Sequence, residues 1–204
     1  MDTTMRKLHP IGPQEERVAA GRLRRADGGV ETWTVHRSVG DRRVIRVECS
    51  PGELWHLVLD AGHRPERLQA RLQEEGQTFE TTYTFFPDEV LVWRRGAEPA
   101  SEAIALPPGY RLLWPPVAGR ECCLAGLEAR EGPAAEMFFS LQRRPAQRGW
   151  LRGRPVKFTV RSGPGWLTLD TPGLPPARLE LDAAGRLAAW FEGDAVTRQV
   201  EHAP

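Results

Sequence analysis

A chain of 204 residues with a net charge of +1 is long enough for one sizeable core, and too evenly charged for its overall field to favour one class of partner. Its 3 cysteines, Cys49, Cys122 and Cys123, form no even-numbered disulfide framework, which fits a reducing compartment. No window approaches the ~18 apolar residues of a spanning helix, and Met1 to Gly12 carries Arg6 and Lys7 without the apolar run of a secretory signal, so the expectation is a soluble cytoplasmic protein.

In chain order, residues 1–14 read as a loose leader broken by His9-Pro10 and Gly12-Pro13. A first strand is predicted over Arg17 to Arg24, followed by a turn at Asp27-Gly28-Gly29. Thr32 to His36 and Val44 to Val47 flank Gly40-Asp41, and Leu54 to Leu59 and Arg67 to Leu72 flank Asp60-Ala61-Gly62. These are consecutive antiparallel hairpins. From the first turn to Arg95 the pattern holds about six strands at ~8–12-residue spacing, as in a sandwich or barrel. Alternation sets Trp33 and Val35 on one face, with Ile45, Val47 and Cys49, then Leu68, Ala70 and Leu72, then Phe79, Tyr83 and Phe85, on the corresponding faces of later strands. One apolar and one wet face is the antiparallel pattern.

The middle of the chain changes character. Leu106-Pro107-Pro108-Gly109-Tyr110 and Leu112-Leu113-Trp114-Pro115-Pro116 are excluded as central strands because proline donates no ladder hydrogen bond. They read as a stiff connection carrying exposed or half-exposed aromatics. Arg120 to Arg130 is predicted to form a short helix, weakened by Gly126. A second β block follows, with strands near Glu136–Gln142, Pro155–Arg161, Trp166–Asp170, Arg178–Asp182, Leu187–Phe191 and Val196–Glu201. The fold expected is all-β: one domain over residues 1–204, a large curved antiparallel sheet, half-barrel or barrel-like, with a proline-rich connection and one short helix.

No catalytic signature overlies this pattern. There is no G-x-S-x-G elbow, no Walker loop and no dinucleotide fingerprint. The histidines His9, His36, His56, His63 and His202 lack partners at metal-ligand spacing, and His56 is expected as a hydrogen-bonded inward group. Adjacent Cys122 and Cys123 read as buried small hydrophobes, one toward the core and one toward the flank. No cofactor and no metal are expected, and enzymatic activity is disfavoured. Trp33, Trp55 and Trp93 are assigned to core packing. One segment is asymmetric: between Glu136 and Asp170 there is no acidic residue, while Arg143, Arg144, Arg148, Arg152, Arg154, Lys157 and Arg161 crowd around Trp150.

The hairpins from Trp33 to Trp93, followed by the proline-rich stretch Leu106 to Pro116, resemble the open single-sheet β half-barrels of the bacterial lipoprotein-carrier type. Against those carriers, the expectation from the residues given is a chain without a signal peptide or a lipid-attachment cysteine. A curved sheet of this size holds an apolar interior. The leading functional expectation is non-enzymatic binding of a small apolar or amphipathic ligand, with Trp33, Trp55, Phe79, Tyr83 and Phe85 lining the cavity, Tyr110, Leu113 and Trp114 at its mouth, and an arginine meeting an anionic headgroup. An alternative is polyanion or nucleic-acid binding through Arg143, Arg144, Arg148, Arg152 and Arg154 with Trp150. A third is a structural or interaction protein, as a homodimer that pairs an edge strand or buries the Leu112 to Trp114 surface.

Overall fold

The computed structural model describes residues 12–50, 52–74, 76–95, 99–127, 132–143 and 151–203, with the side chains of 74, 142–143, 151–152 and 201–203 outside that description. Two meanders meet in one 15-stranded sheet. The first comprises β1 (Glu16–Arg24), β2 (Val30–Arg37), β3 (Arg43–Cys49), β4 (Glu53–Leu59), β5 (Pro65–Glu74), β6 (Gln77–Phe85), β7 (Glu89–Arg95) and β8 (Ala100–Ala105). The second comprises β10 (Ala134–Arg143), β11 (Leu151–Gly163), β12 (Trp166–Asp170), β13 (Ala177–Leu181), β14 (Leu187–Glu192) and β15 (Ala195–Ala203). Every pairing within each meander is antiparallel, and β1 pairs with β15, for example Gly21 with His202, to join the two halves. The short strand β9 (Arg111–Leu113) adds in parallel to β10, with Leu112 opposite Phe139.

β8 and β9 are therefore the two edges of the sheet. Laid flat, 15 strands at about 4.8 Å spacing would hold those edges about 67 Å apart. The chain from Ala105 to Arg111 spans at most about 22 Å. The sheet must roll until its edges approach, without closing. The connecting residues are tied to the β6–β7 turn, where Leu106 N–H donates to the Asp88 carbonyl at 2.7 Å and the Tyr110 hydroxyl donates to the Phe86 carbonyl at 2.9 Å.

The predicted alternation holds along the first meander: Trp33, Val35, Ile45, Val47, Trp55, Leu57, Leu68, Ala70, Phe79, Tyr83 and Val92 are all buried. Trp93 corrects the core assignment. It follows the inward Val92, so the two-residue period turns it outward, and it is 62% exposed. His56 is buried, but it lies between the inward Trp55 and Leu57 and so takes the outer face, in register with Arg46 and Gln69. At β10 both faces are covered. Phe138 meets Phe158 edge-on, with ring centroids 5.2 Å apart, whereas Phe139 meets Tyr83 and Phe85 at 6.2 and 6.0 Å. Gly153 makes room for this, since a Cβ there would lie 1.9 Å from the Phe139 ring.

The segment between β9 and β10 differs most from expectation. Its one-turn helix α1 covers only Arg120–Cys123, because the chain turns left-handed at Gly126, with φ at +81°. Tyr110 and Trp114, expected to be exposed or half-exposed, are buried. The apolar concave face has to be covered, and this inner segment covers it. Trp114 packs edge-on against Trp55 at 6.3 Å, and Gly119 approaches Ile45 and Trp114 so closely that a Cβ would lie 2.8 and 3.2 Å from them. Both Cys122 and Cys123 are buried free thiols.

Candidate functional site

Two charged residues fix the inner segment inside the sheet. Glu31 of β2 is 1% exposed and its carboxylate accepts the Val117 and Ala118 N–H groups at 2.9 and 2.8 Å. Burial outweighs these bonds and holds its carboxyl above the ordinary range. Arg120 donates to the carbonyls of Trp114, Pro115 and Pro116 at 3.0, 2.9 and 3.0 Å. Its guanidinium lies 4.1 Å from the centre of the Trp190 ring on β14. A proline-rich segment has carbonyls without matching N–H donors, and a buried guanidinium collects three of them at once.

The segment runs from one end of the roll to the other. At the end bearing the β1–β2, β3–β4 and β14–β15 turns, a cavity of about 270 Å³ is lined by Asp27, Glu31, Glu53, Arg120, Trp190 and Glu192, among others. At the opposite end, where the β2–β3, β4–β5 and β13–β14 turns lie, a larger cavity of about 480 Å³ opens. Val18 and Ala19 of β1 and Trp33 and Val35 of β2 form an apolar wall there. Arg37, Arg43 and Arg186 bring positive charge from three elements, with Asp41 and His63 in the turns and Glu121 and Cys122 on α1. Among the described residues, the non-glycine residues with positive φ are Asp41 at 55° and His63 at 62°, and both line this cavity. Such backbone is uncommon outside glycine and concentrates where a turn must present a particular surface.

The electrostatics there favour neutral forms. Burial pushes the Glu121 carboxyl up to about 7 and the Cys122 thiol up to about 12. Burial and the nearby Arg43 lower the His63 imidazole below its ordinary range. Burial likewise raises the Cys123 thiol. Neither cysteine is poised as a thiolate nucleophile. A carboxyl raised by folding stabilises the protein fully below its unfolded value and loses that contribution as pH rises through its folded value. Between pH 5 and pH 8 the wild type should therefore lose up to about 3 kcal/mol relative to Glu121→Gln, read from paired urea unfolding curves. A difference between the two proteins that does not change with pH would contradict this.

The sequence-derived site residues divide. Trp33 lines the larger cavity. Trp55 and Trp114 pack on each other, and Tyr83, Phe85 and Tyr110 form an aromatic cluster with Phe139. Phe79 is buried and Leu113 half-buried against the core. Tyr110 and Trp114 stand in the core and not at a mouth, and burial of Leu112 and Trp114 removes the apolar surface considered for dimerisation. Of the arginine segment, Arg144, Arg148 and Trp150 lie outside the described residues, as do the side chains of Arg143 and Arg152. Arg154 and Lys157 line a shallow groove of about 460 Å³ with Thr159, Thr171 and Asp170, whose carboxylate pairs with Arg161. Sequence reasoning missed Arg37, Arg43, His63, Glu121 and Arg186. The turns holding Asp41 and His63 were visible, but their approach to Arg186 depends on the pairing of β1 with β15.

No protein-family model matches the chain, and no curated protein matches it. Among solved structures it is similar to a beta-barrel-like protein of a domain of unknown function, DUF1849, from Brucella abortus, at 11% identity over 95% of this chain and 98% of that chain, with a TM-score of 0.49. Among the described residues no helix is long and apolar enough to cross a membrane.

Proposed function

We propose that this protein binds a small amphipathic molecule in the 480 Å³ cavity at the end of the rolled sheet, and that it acts by binding and not by chemistry. The observation that carries this reading is the pairing of an apolar wall, Val18, Ala19, Trp33 and Val35, with three guanidinium groups around one opening. The volume falls within the ~300–1,000 Å³ of small-molecule sites, which combine apolar walls with a few placed polar groups. An apolar chain would lie on Trp33 and a polar end would meet Arg37, Arg43 or Arg186. The reading retains from the carrier-type half-barrels the idea of a curved sheet that shelters an apolar body, but puts the ligand at one end because the inner segment fills the middle.

Native mass spectrometry of the purified protein, followed by organic extraction, tests the reading. A co-purifying amphipathic species, lost from Trp33→Ala, is the expected result. Retention of the same species by Trp33→Ala would place the ligand elsewhere.

A second reading is favoured by Arg154 and Lys157, which are exposed along one groove of β11 whose lining carboxylate, Asp170, is paired with Arg161. It assigns that groove to a polyanion. Affinity for a single-stranded oligonucleotide should then fall steeply with salt and weaken in Arg154→Ala/Lys157→Ala. Unchanged affinity in that double variant would remove this reading.

A further inference from the structure

The end cavity contains one feature that an anion-binding site does not need: a carboxyl group at its floor. Glu121 is half-buried there, and its Oε2 is buried with no hydrogen-bond partner. A buried acceptor left unpaired is costly, and more so when it is charged. Protonation turns the carboxyl into a donor, which then requires an acceptor. The surroundings specify that acceptor's charge. Arg37 of β2 is paired with Glu16 at 2.6 Å and Arg186 of the β13–β14 turn with Asp182 at 2.9 Å, whereas Arg43 of β3 faces Glu121 and the Cys122 thiol. Asp41, in the β2–β3 turn, is exposed. His63, from the β4–β5 turn, is held toward its neutral form. An ammonium head would meet Arg43, the cavity guanidinium that those two acidic pairs do not neutralise, and an alcohol would bring it no negative charge.

Resting on the reading of this cavity as an amphiphile site, we propose that the polar end of the ligand is a carboxylate, held at Arg43 in a pair that shares a proton with Glu121. Two carboxyl groups side by side do not both ionise; one proton between them removes the repulsion and supplies a short, charge-assisted hydrogen bond. Arg43 then balances the single negative charge that remains. Binding of the carboxylate takes up a proton from solvent whenever Glu121 is ionised beforehand.

The test uses sodium octanoate and 1-octanol as probes, measured by calorimetry on the full chain at pH 6 and pH 8 in two buffers of different ionisation enthalpy. Octanoate is expected to bind more tightly than octanol at pH 6, to weaken about tenfold by pH 8, and to take up close to one proton per molecule bound at pH 8. Glu121→Gln should bind octanoate with the same affinity at both pH values and without proton uptake, since the amide donates a hydrogen bond at either pH. Octanol should be insensitive to pH in both proteins. If octanol binds through Trp33 but octanoate binds no more tightly, or if the pH dependence survives in Glu121→Gln, the proton-sharing pair is wrong and the cavity assignment stands. If neither probe binds, or if Trp33→Ala leaves octanol affinity unchanged, the cavity assignment itself fails.

Discussion

Glu31→Ala is expected to lower the unfolding free energy by about 3 kcal/mol, because it strips the acceptor from two buried N–H groups at once. The Val117 and Ala118 amides have Glu31 as their partner, at 2.9 and 2.8 Å, in a segment whose prolines leave it few other ways to hydrogen-bond. Glu31→Gln keeps one carbonyl oxygen and should lose about half as much. The sign of the pH dependence follows from burial, which raises the Glu31 carboxyl above its ordinary value. Its contribution is complete below the unfolded carboxyl range and declines as pH rises through the folded value, so the deficit of Glu31→Ala should be larger at pH 5 than at pH 8. Urea unfolding followed by tryptophan fluorescence measures both. A loss below about 0.5 kcal/mol at pH 5, the size typical of an uninvolved surface substitution, would show that Glu31 does not hold the inner segment.

Trp114→Ala should cost about 3–5 kcal/mol, the range for removing a large aromatic from a core that relaxes only in part. Trp114 is fully buried and meets Trp55 edge-on at 83° between ring planes, and Gly119 lies against its ring. The void would open between β3, β4 and the inner segment, in the place where the sequence pattern alone suggests a ligand cavity. Apolar probes such as benzene should bind this variant and not the wild type. Trp114→Phe should recover much of the loss, and a loss below about 1 kcal/mol for Trp114→Ala would mean that the inner segment is not packed into the sheet.

These two residues mark how far the sequence could be read. The hairpins and faces of the first meander were legible because the turn residues are local and the alternation of Ile45, Val47 and Cys49 or Leu68, Ala70 and Leu72 fixes each face, whereas the order of all strands and the openness of the sheet were not. The second block was legible for the same reason. Trp114 was harder: an aromatic among prolines has no period, so nothing local says whether it faces water or a core. The proline argument held, since β9 is a three-residue edge strand, but it gave no hint that residues 114–124 would fold inward. Glu31 carried a signal that was not used. It shares the inward face of β2 with Trp33 and Val35, and a carboxylate on an apolar face requires buried donors. The end cavity was least legible, because Val18, Trp33, Arg43, Glu121 and Arg186 come together through the pairing of the first strand with the last, a contact between opposite ends of the chain.

The measurement that tests the central claim most directly is quenching of tryptophan fluorescence by 8-bromooctanoate, compared across single Trp→Phe variants. Bromine quenches on contact, so a ligand in the end cavity should quench Trp33, which lines it, and spare Trp55 and Trp114, which are sealed against each other. Saturable quenching that disappears in Trp33→Phe, while calorimetry shows the ligand still bound, is the predicted result. Quenching that persists in Trp33→Phe and disappears in Trp55→Phe or Trp114→Phe would place the ligand in the middle of the sheet and contradict the account.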